Sequence, residues 1–290
     1  MARGEDRGYF PRGESVLRRV HGARVVGFTY GQRALLMQAT HPLAFVGLIA
    51  NTQGLEAPFK RLAHTAEVME RVYFGSRAEA DRTTAIVRRM HSGVAGRLRE
   101  PAGRWRAGSR YAADDPEFLL WILVWLADSA QAAYEAFVRR LGDDERELFW
   151  QDYRTVGELF GLPREDSPAD YASYRAYVDQ RLASDELFVT DDARELGRRV
   201  AFALPVPALR RPALEAVNLA VLGLVPERVR ELYGLPWDPA REAAFRALCA
   251  SLKATARITP GRIRRGSCVA DYNLVARTEA QRMATPQSAG

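Results

Sequence analysis

Apolar positions recur at helical spacing along most of the chain, and the alternating pattern of a strand is nearly absent. Leu62, Ala66, Met69 and Tyr73, for example, follow one another at intervals of four, three and four residues. This spacing places the four side chains on one face of an α-helix. One short run, Leu187–Thr190, has a β-like composition. The pattern therefore predicts an all-α fold of roughly ten to twelve helices.

Turn and capping residues divide the central pattern into two helices that meet at residues 74–76. Gly75 ends the first helix, which begins at Pro58, and Ser76 with Glu79 forms a capping box for the second. We expect the second helix to run to about Arg97. Its expected apolar stripe consists of Val87, Met90, His91, Val94 and Leu98.

A long apolar helix is predicted from Pro116, with Asp115 as its cap, and we expect it to be central and buried. The first strong helical pattern begins near residue 14 and the last ends before Pro260. We therefore predict one globular domain over residues 14–262. Residues 1–13 are expected to form a loose arm, and residues 263–290 an Arg-rich and then polar tail.

Composition narrows the functional classes. The chain has 290 residues, 47% of them hydrophobic, which is enough for a large core. Its net charge of +6 comes from arginines dispersed among acids, without a basic stripe interleaved with aromatics, so we expect no nucleic-acid partner. No apolar run approaches the ~20 residues of a transmembrane helix. Two distant cysteines, Cys249 and Cys268, fit a reducing compartment, and we expect a cytoplasmic location.

Four histidines are the first candidates for chemistry: His21, His41, His64 and His91. His91 follows Val87 and Met90 and precedes Val94 on an apolar pattern. It is either a core histidine with one hydrogen bond or the neutral axial ligand of a haem iron, which needs one strong nitrogen ligand on an apolar wall.

A second group of polar residues lies on the preceding helix. Arg61 and Thr65 are one helical turn apart, and His64 lies beside both. They form either a solvated face or a distal pocket. In a pocket, Arg61 would donate to a propionate or an oxygen species and Thr65 would hydrogen-bond a ligand or water, because buried polar groups need partners.

An ordered set of motifs covers most of the chain. These are GQRALLMQATHP (31–42), Arg-x-x-x-Thr (61–65), VYFG (72–75), VRRMHSGV (87–94), YAADDPEFLLW (111–121), DSAQAAYEAFV (128–138) and LPVPALRRPALEAVNLAVLGLVPERVRELYGLPW (204–237). In this set the sequence resembles the family of the fungal MpaB oxygenase and the rubber oxygenase called latex-clearing protein. It looks most similar to the bacterial members of the family, most of which have no assigned substrate.

The resemblance implies a helical protein with b-type haem (iron) and an oxygenase-like activity on a small apolar molecule. The histidine of the matching V-R-x-M-H motif makes His91 the proximal iron ligand. The matching Arg and Thr place Arg61 and Thr65 in the haem pocket. The rubber oxygenase has a lysine immediately before the Thr. His64 stands there in this chain, as a second iron ligand, a proton donor or a solvent-facing residue.

Other positions separate this chain from its relatives. Many bacterial members carry a histidine where this chain has Leu123, and a His-Ser pair where it has Asn51-Thr52. His41, before Pro42, either caps a short helix or contacts the cofactor.

Two alternatives to an oxygenase therefore remain: a haem-binding carrier or sensor without turnover, and a cofactor-free helical protein that binds lipid or a partner. Common nucleotide-binding and hydrolase motifs are absent.

Overall fold

The computed structural model describes residues 8–50 and 57–284, which are mostly helical. It confirms the all-α class, with fourteen α-helices within these ranges. The helices are α1 (Val16–His21), α2 (Arg24–Gln38), α3 (Pro42–Ala50), α4 (Pro58–Phe74), α5 (Arg77–His91), α6 (Pro116–Phe137), α7 (Asp143–Phe160), α8 (Tyr171–Ala183), α9 (Asp191–Phe202), α10 (Arg211–Leu224), α11 (Glu227–Tyr233), α12 (Pro239–Ile258), α13 (Gly261–Arg264) and α14 (Val269–Ala284).

Helix α6 is the centre of the core, as its sequence predicts. The side chain of Asp115 accepts a hydrogen bond from the backbone N–H of Glu117 and caps the helix, and Pro116 occupies the first turn. Helix α6 packs along α2 and also contacts α7, α10 and α12. Trp121 and Trp125 are buried in the core that these helices share, so the described helices form one domain.

Helices α4 and α5 form a helical hairpin. Ser76 accepts a hydrogen bond from the backbone N–H of Glu79, whose carboxylate in turn accepts from the N–H of Ser76. This is the expected capping box, and it fixes where α5 begins. Because the two helices are joined by a tight turn and pack against each other, the first turns of α4 lie near the last turns of α5.

The end of α5 differs from its expected position. The helix stops at His91 rather than near Arg97, and the chain enters a two-stranded antiparallel sheet of β1 (Ala95–Arg97) and β2 (Arg110–Ala112). The predicted stripe is therefore wrong in two respects: Met90 is 55% exposed, and Val94 and Leu98, although buried, lie outside the helix. The β-like run Leu187–Thr190 is not a strand.

The two ends of the described chain pack on the domain. Phe10, in the expected N-terminal arm, is 1% exposed, and the hydroxyl of Tyr9 donates to Asp81. Residues beyond 262 include α14, which packs along α4, where the sequence pattern suggested a polar tail. Tyr272 and Val275 are the apolar positions of α14 that this packing buries.

Among the helices of the described ranges, none combines the length and the hydrophobicity that crossing a membrane requires.

Candidate active site

Helix α4 has a packed face and a polar face. Phe59, Leu62 and Ala63 are buried in an apolar cluster with residues of α14. Arg61, His64 and Thr65 are exposed, so the described residues leave this face solvated and do not enclose it as a pocket. Since His64 and Thr65 follow Arg61 by three and four positions, the three side chains share one helix face. Helix α4 thus presents these polar groups on a different face from the residues that pack on α14.

His91 is the last residue of α5 and is partly buried. Its Nδ1 atom is buried and has no hydrogen-bond partner among the residues that the structure describes. Arg88 and Arg89 share its turn and are exposed. A buried imidazole nitrogen without a partner costs on the order of 1–3 kcal/mol unless a further group satisfies it.

Charges around His91 connect it to α4 and to the segment after β2. Burial lowers the pKa of His91, the positive charge of Arg61 lowers it further, and the negative charge of Asp114 opposes both. Burial also lowers the pKa of the Arg61 guanidinium, because protein atoms crowd it although the residue as a whole is exposed to solvent. The structure therefore brings Arg61 and Asp114 within electrostatic range of His91.

Asp114 is the member of this group that the sequence pattern did not single out. Asp114-Asp115-Pro116 is read most simply as a helix cap, and Asp115 alone makes the capping hydrogen bond to Glu117. The sequence signal that could have identified Asp114 is the presence of two adjacent aspartates before the helix. One N-terminal cap needs only one carboxylate, so the second is available for another role.

An open groove lies along the β1–β2 pair. It is lined by residues of both strands and by Asp115, the cap of α6. Its lining residues are Ala95, Gly96, Arg97, Arg110, Tyr111, Ala112 and Asp115. Gly96 is required here, because the Tyr111 ring occupies the space that a Cβ atom at residue 96 would need. The groove thus borders the segment that carries Asp114.

His41 belongs to a separate environment. Its Nδ1 accepts a hydrogen bond from the backbone N–H of Ala44, at 3.4 Å, which is the capping contact considered from the sequence. Its ring lies 4.9 Å from that of Trp105 and 5.1 Å from that of Trp121, centroid to centroid. Burial lowers the pKa of His41 to about 4, and the charges acting on it are those of Glu186, Arg104 and Arg181. None of these charges acts on His91.

The described part of the chain contains no cluster of three or more His, Cys, Asp or Glu residues suited to a bare metal ion. The buried Asp128 accepts hydrogen bonds from the guanidinium groups of Arg33 and Arg175. A haem iron, in contrast, requires only one or two side-chain ligands, because the macrocycle supplies four. A single histidine such as His91 is the kind of side chain that a haem iron would use.

A sequence model of one protein family, described as "ER-bound oxygenase mpaB/B'/Rubber oxygenase, catalytic domain", matches residues 18–254. The chain belongs to this oxygenase family. The match includes α4, α5 and the β1–β2 pair, and it ends before α13 and α14. No curated protein and no solved structure matches the chain.

Leu123 and Asn51 stand where many relatives of the oxygenase family were expected to carry histidine, and the structure describes only the first of them. Leu123 is 4% exposed and packs where α6 approaches α7, against Gly157, whose missing side chain leaves the necessary room. Leu123 therefore belongs to the α6–α7 core contact. Asn51 and Thr52 lie outside the described residues.

Proposed function

We propose that this protein is a b-type-haem-dependent oxygenase that acts on a small apolar molecule, with His91 as the axial ligand of the iron. The observation that carries the proposal is the V-R-x-M-H motif in a chain of an oxygenase family, and the state of His91 is compatible with it. Its ring is partly buried, its Nδ1 atom has no hydrogen-bond partner in the described chain, and its pKa is lowered. Membership of an oxygenase family supports the oxygen chemistry.

The lowered pKa matters because iron binds only the neutral imidazole. A histidine with an ordinary pKa of about 6.5 is partly protonated at slightly acidic pH. Burial and the positive charge of Arg61 both disfavour protonation of His91, and they outweigh Asp114. The protein therefore holds this side chain in the form that can donate a lone pair.

The polar face of α4 supplies the other groups of the proposed site. Arg61 offers a guanidinium whose planar donors suit a carboxylate, such as a propionate. Thr65 offers a hydroxyl one turn further along the same face. His64 offers an imidazole that can carry a proton at either ring nitrogen. When bound, haem supplies the redox-active iron for the reaction with dioxygen.

The β1–β2 groove supports an apolar substrate. Ala95, Gly96 and Ala112 contribute small apolar surfaces to it, and Tyr111 contributes an aromatic ring. Tyr111 also contacts Gly47 of α3, a helix composed of apolar residues between Pro42 and Ala50. Arg97, Arg110 and Asp115 add charged groups to the same groove, so it combines apolar surface with polar groups, as small-molecule sites do.

Haem titration followed by oxygen consumption tests the proposal. The wild-type protein should give a Soret band after haem addition and should consume oxygen with an apolar substrate, while His91→Ala should do neither. His64→Ala is the matched control for haem retention, because it removes an exposed imidazole from the neighbouring helix. A wild type without a Soret band would refute the proposal. A Soret band without oxygen consumption would favour the haem carrier.

A further inference from the structure

The first turn of α4 lacks a cap of its own. Ala57 occupies the N-cap position and has no side-chain acceptor, and Pro58 follows it. The backbone N–H of Phe59 instead donates to the Oε2 atom of Glu279, at 3.2 Å. Unsatisfied N–H groups in a first helical turn need an acceptor, and a carboxyl group is a favourable one. A residue 220 positions away along the chain thus performs the capping role.

Glu279 is held in place by the packing of α14 along α4. Tyr272 and Val275 of α14 join Phe59, Leu62 and Ala63 of α4 in one apolar cluster. Further along, the side-chain amide of Asn273 donates to the carboxylate of Glu67 at 3.0 Å. Glu279 is only 5% exposed, so its carboxyl group is fixed by its surroundings rather than by solvent.

This contact lies immediately before the polar face of α4. Phe59 is two positions from Arg61, and both lie in the first turns of the helix. Helix α14 itself lies beyond the residues that match the oxygenase family. The support for Arg61 and Thr65 therefore comes from a part of this chain outside the matched catalytic domain.

We infer that Glu279 is a positioning residue that holds the first turn of α4, and with it Arg61 and Thr65, in register with His91. The inference rests on the proposed function, because the positions of Arg61 and Thr65 relative to His91 matter for a haem held between these residues. Loss of the acceptor lets the first turn fray and changes where Arg61 points, while α4 remains attached to α14 by its apolar contacts.

The acceptor oxygen, rather than the negative charge, is the required feature. Burial raises the pKa of Glu279, partly offset by the hydrogen bond from Phe59 and the charge of Arg199. Arg199 lies 3.6 Å from Oε1, which has no hydrogen-bond partner among the described residues. Because a glutamine retains the carbonyl oxygen that faces Phe59, Glu279→Gln should preserve the cap and Glu279→Ala should lose it.

The test compares these two variants in the full-length chain by haem titration and by amide exchange. Glu279→Ala should weaken haem binding about fivefold, the change that corresponds to losing a cap of about 1 kcal/mol. Glu279→Gln should remain near wild type. Asn273→Ala is the matched control, because it removes another α14–α4 contact away from the first turn, and it should leave haem affinity unchanged.

Amide exchange of the haem-free protein provides a readout that does not depend on haem. The N–H of Phe59 should exchange faster in Glu279→Ala and normally in Glu279→Gln. Normal exchange and normal haem affinity in Glu279→Ala, or a fivefold loss in Glu279→Gln, would overturn the inference. A wild type without a Soret band would instead refute the proposed function, so the two failures are distinguishable.

Discussion

The positive charge of Arg61 on α4 acts on the imidazole of His91 on α5 and lowers its pKa, in addition to the larger effect of burial. Thirty positions separate the two residues in the sequence, and the α4–α5 hairpin brings them together. The relationship links the Arg-x-x-x-Thr motif to the V-R-x-M-H motif through a physical interaction. It also explains why the pKa of a histidine beside solvent is lowered.

Arg61→Ala should raise the pKa of His91 in the haem-free protein. The substitution removes a nearby positive charge and exposes the ring to more water, and both changes favour the protonated imidazole. An NMR titration of the His91 ring protons measures the effect. Lys60→Ala is the control, because it removes the same charge from an exposed neighbouring position. An unchanged His91 titration in Arg61→Ala would contradict the electrostatic link.

Local sequence signals predict much of the fold. The capping box of Ser76 and Glu79 is present, and so are the Asp115 cap and the glycine end of α7, where Gly161 has a φ of 99°. These signals depend on residues within one turn of a helix end, where the side chain alone decides which backbone group is satisfied. The all-α class follows from the same information.

The misplaced end of α5 shows what local signals miss. Val94 and Leu98 continue a helical spacing, but strand β1 pairs with β2 across the intervening loop, with Ala95 opposite Ala112. That pairing depends on residues distant in sequence, so periodicity cannot reveal it. The role of Glu279 was missed for the same reason, since its partner lies at the other end of the chain. The positions of Arg61 and His91 were predictable as a pair, whereas their exposure was not.

His64→Ala should retain haem and its spin state but should lower oxygen consumption about 100-fold, the usual size of a lost proton-transfer group. His64 is exposed on the face shared with Arg61 and Thr65, where it can exchange protons with solvent. Optical spectra and an oxygen electrode measure the two properties. Conversion from a low-spin to a high-spin spectrum would instead assign His64 to the iron.

Asp128→Ala should destabilise the protein by about 3–5 kcal/mol. The Asp128 carboxylate accepts from Arg33 at 2.7 Å, and Arg33 is 3% exposed, so the substitution leaves a buried guanidinium without its counter-ion. Urea unfolding gives the free energy. Arg175→Ala, which removes the more exposed partner of Asp128, should cost only about 1 kcal/mol. Equal, small losses would contradict the assigned role of the buried pair.

His41 should make the protein less stable at acidic pH. Its pKa is about 4 in the folded protein, chiefly because of burial, and about 6.5 in the unfolded chain. The folded state thus disfavours the protonated ring. The stability that the neutral ring contributes is complete above about pH 6.5 and is lost as the pH falls towards 4.

Urea unfolding at pH 7 and pH 5 tests this expectation. Between these values the wild type should lose about 2 kcal/mol more of its unfolding free energy than His41→Phe does. The buried His21, whose pKa is lowered to about 3, contributes in the same direction in both proteins, so the difference isolates His41. The same pH dependence in both proteins would show that His41 is not held neutral.

The most direct test of the central claim is the absorption spectrum of His91→Gly with haem, recorded with and without added imidazole. After unbound haem has been removed by gel filtration, we expect no protein-bound Soret band for this variant alone and a restored band when imidazole enters the space that the His91 side chain vacates. A Soret band equal to that of the wild type in the absence of imidazole would contradict the assignment of His91 as the iron ligand.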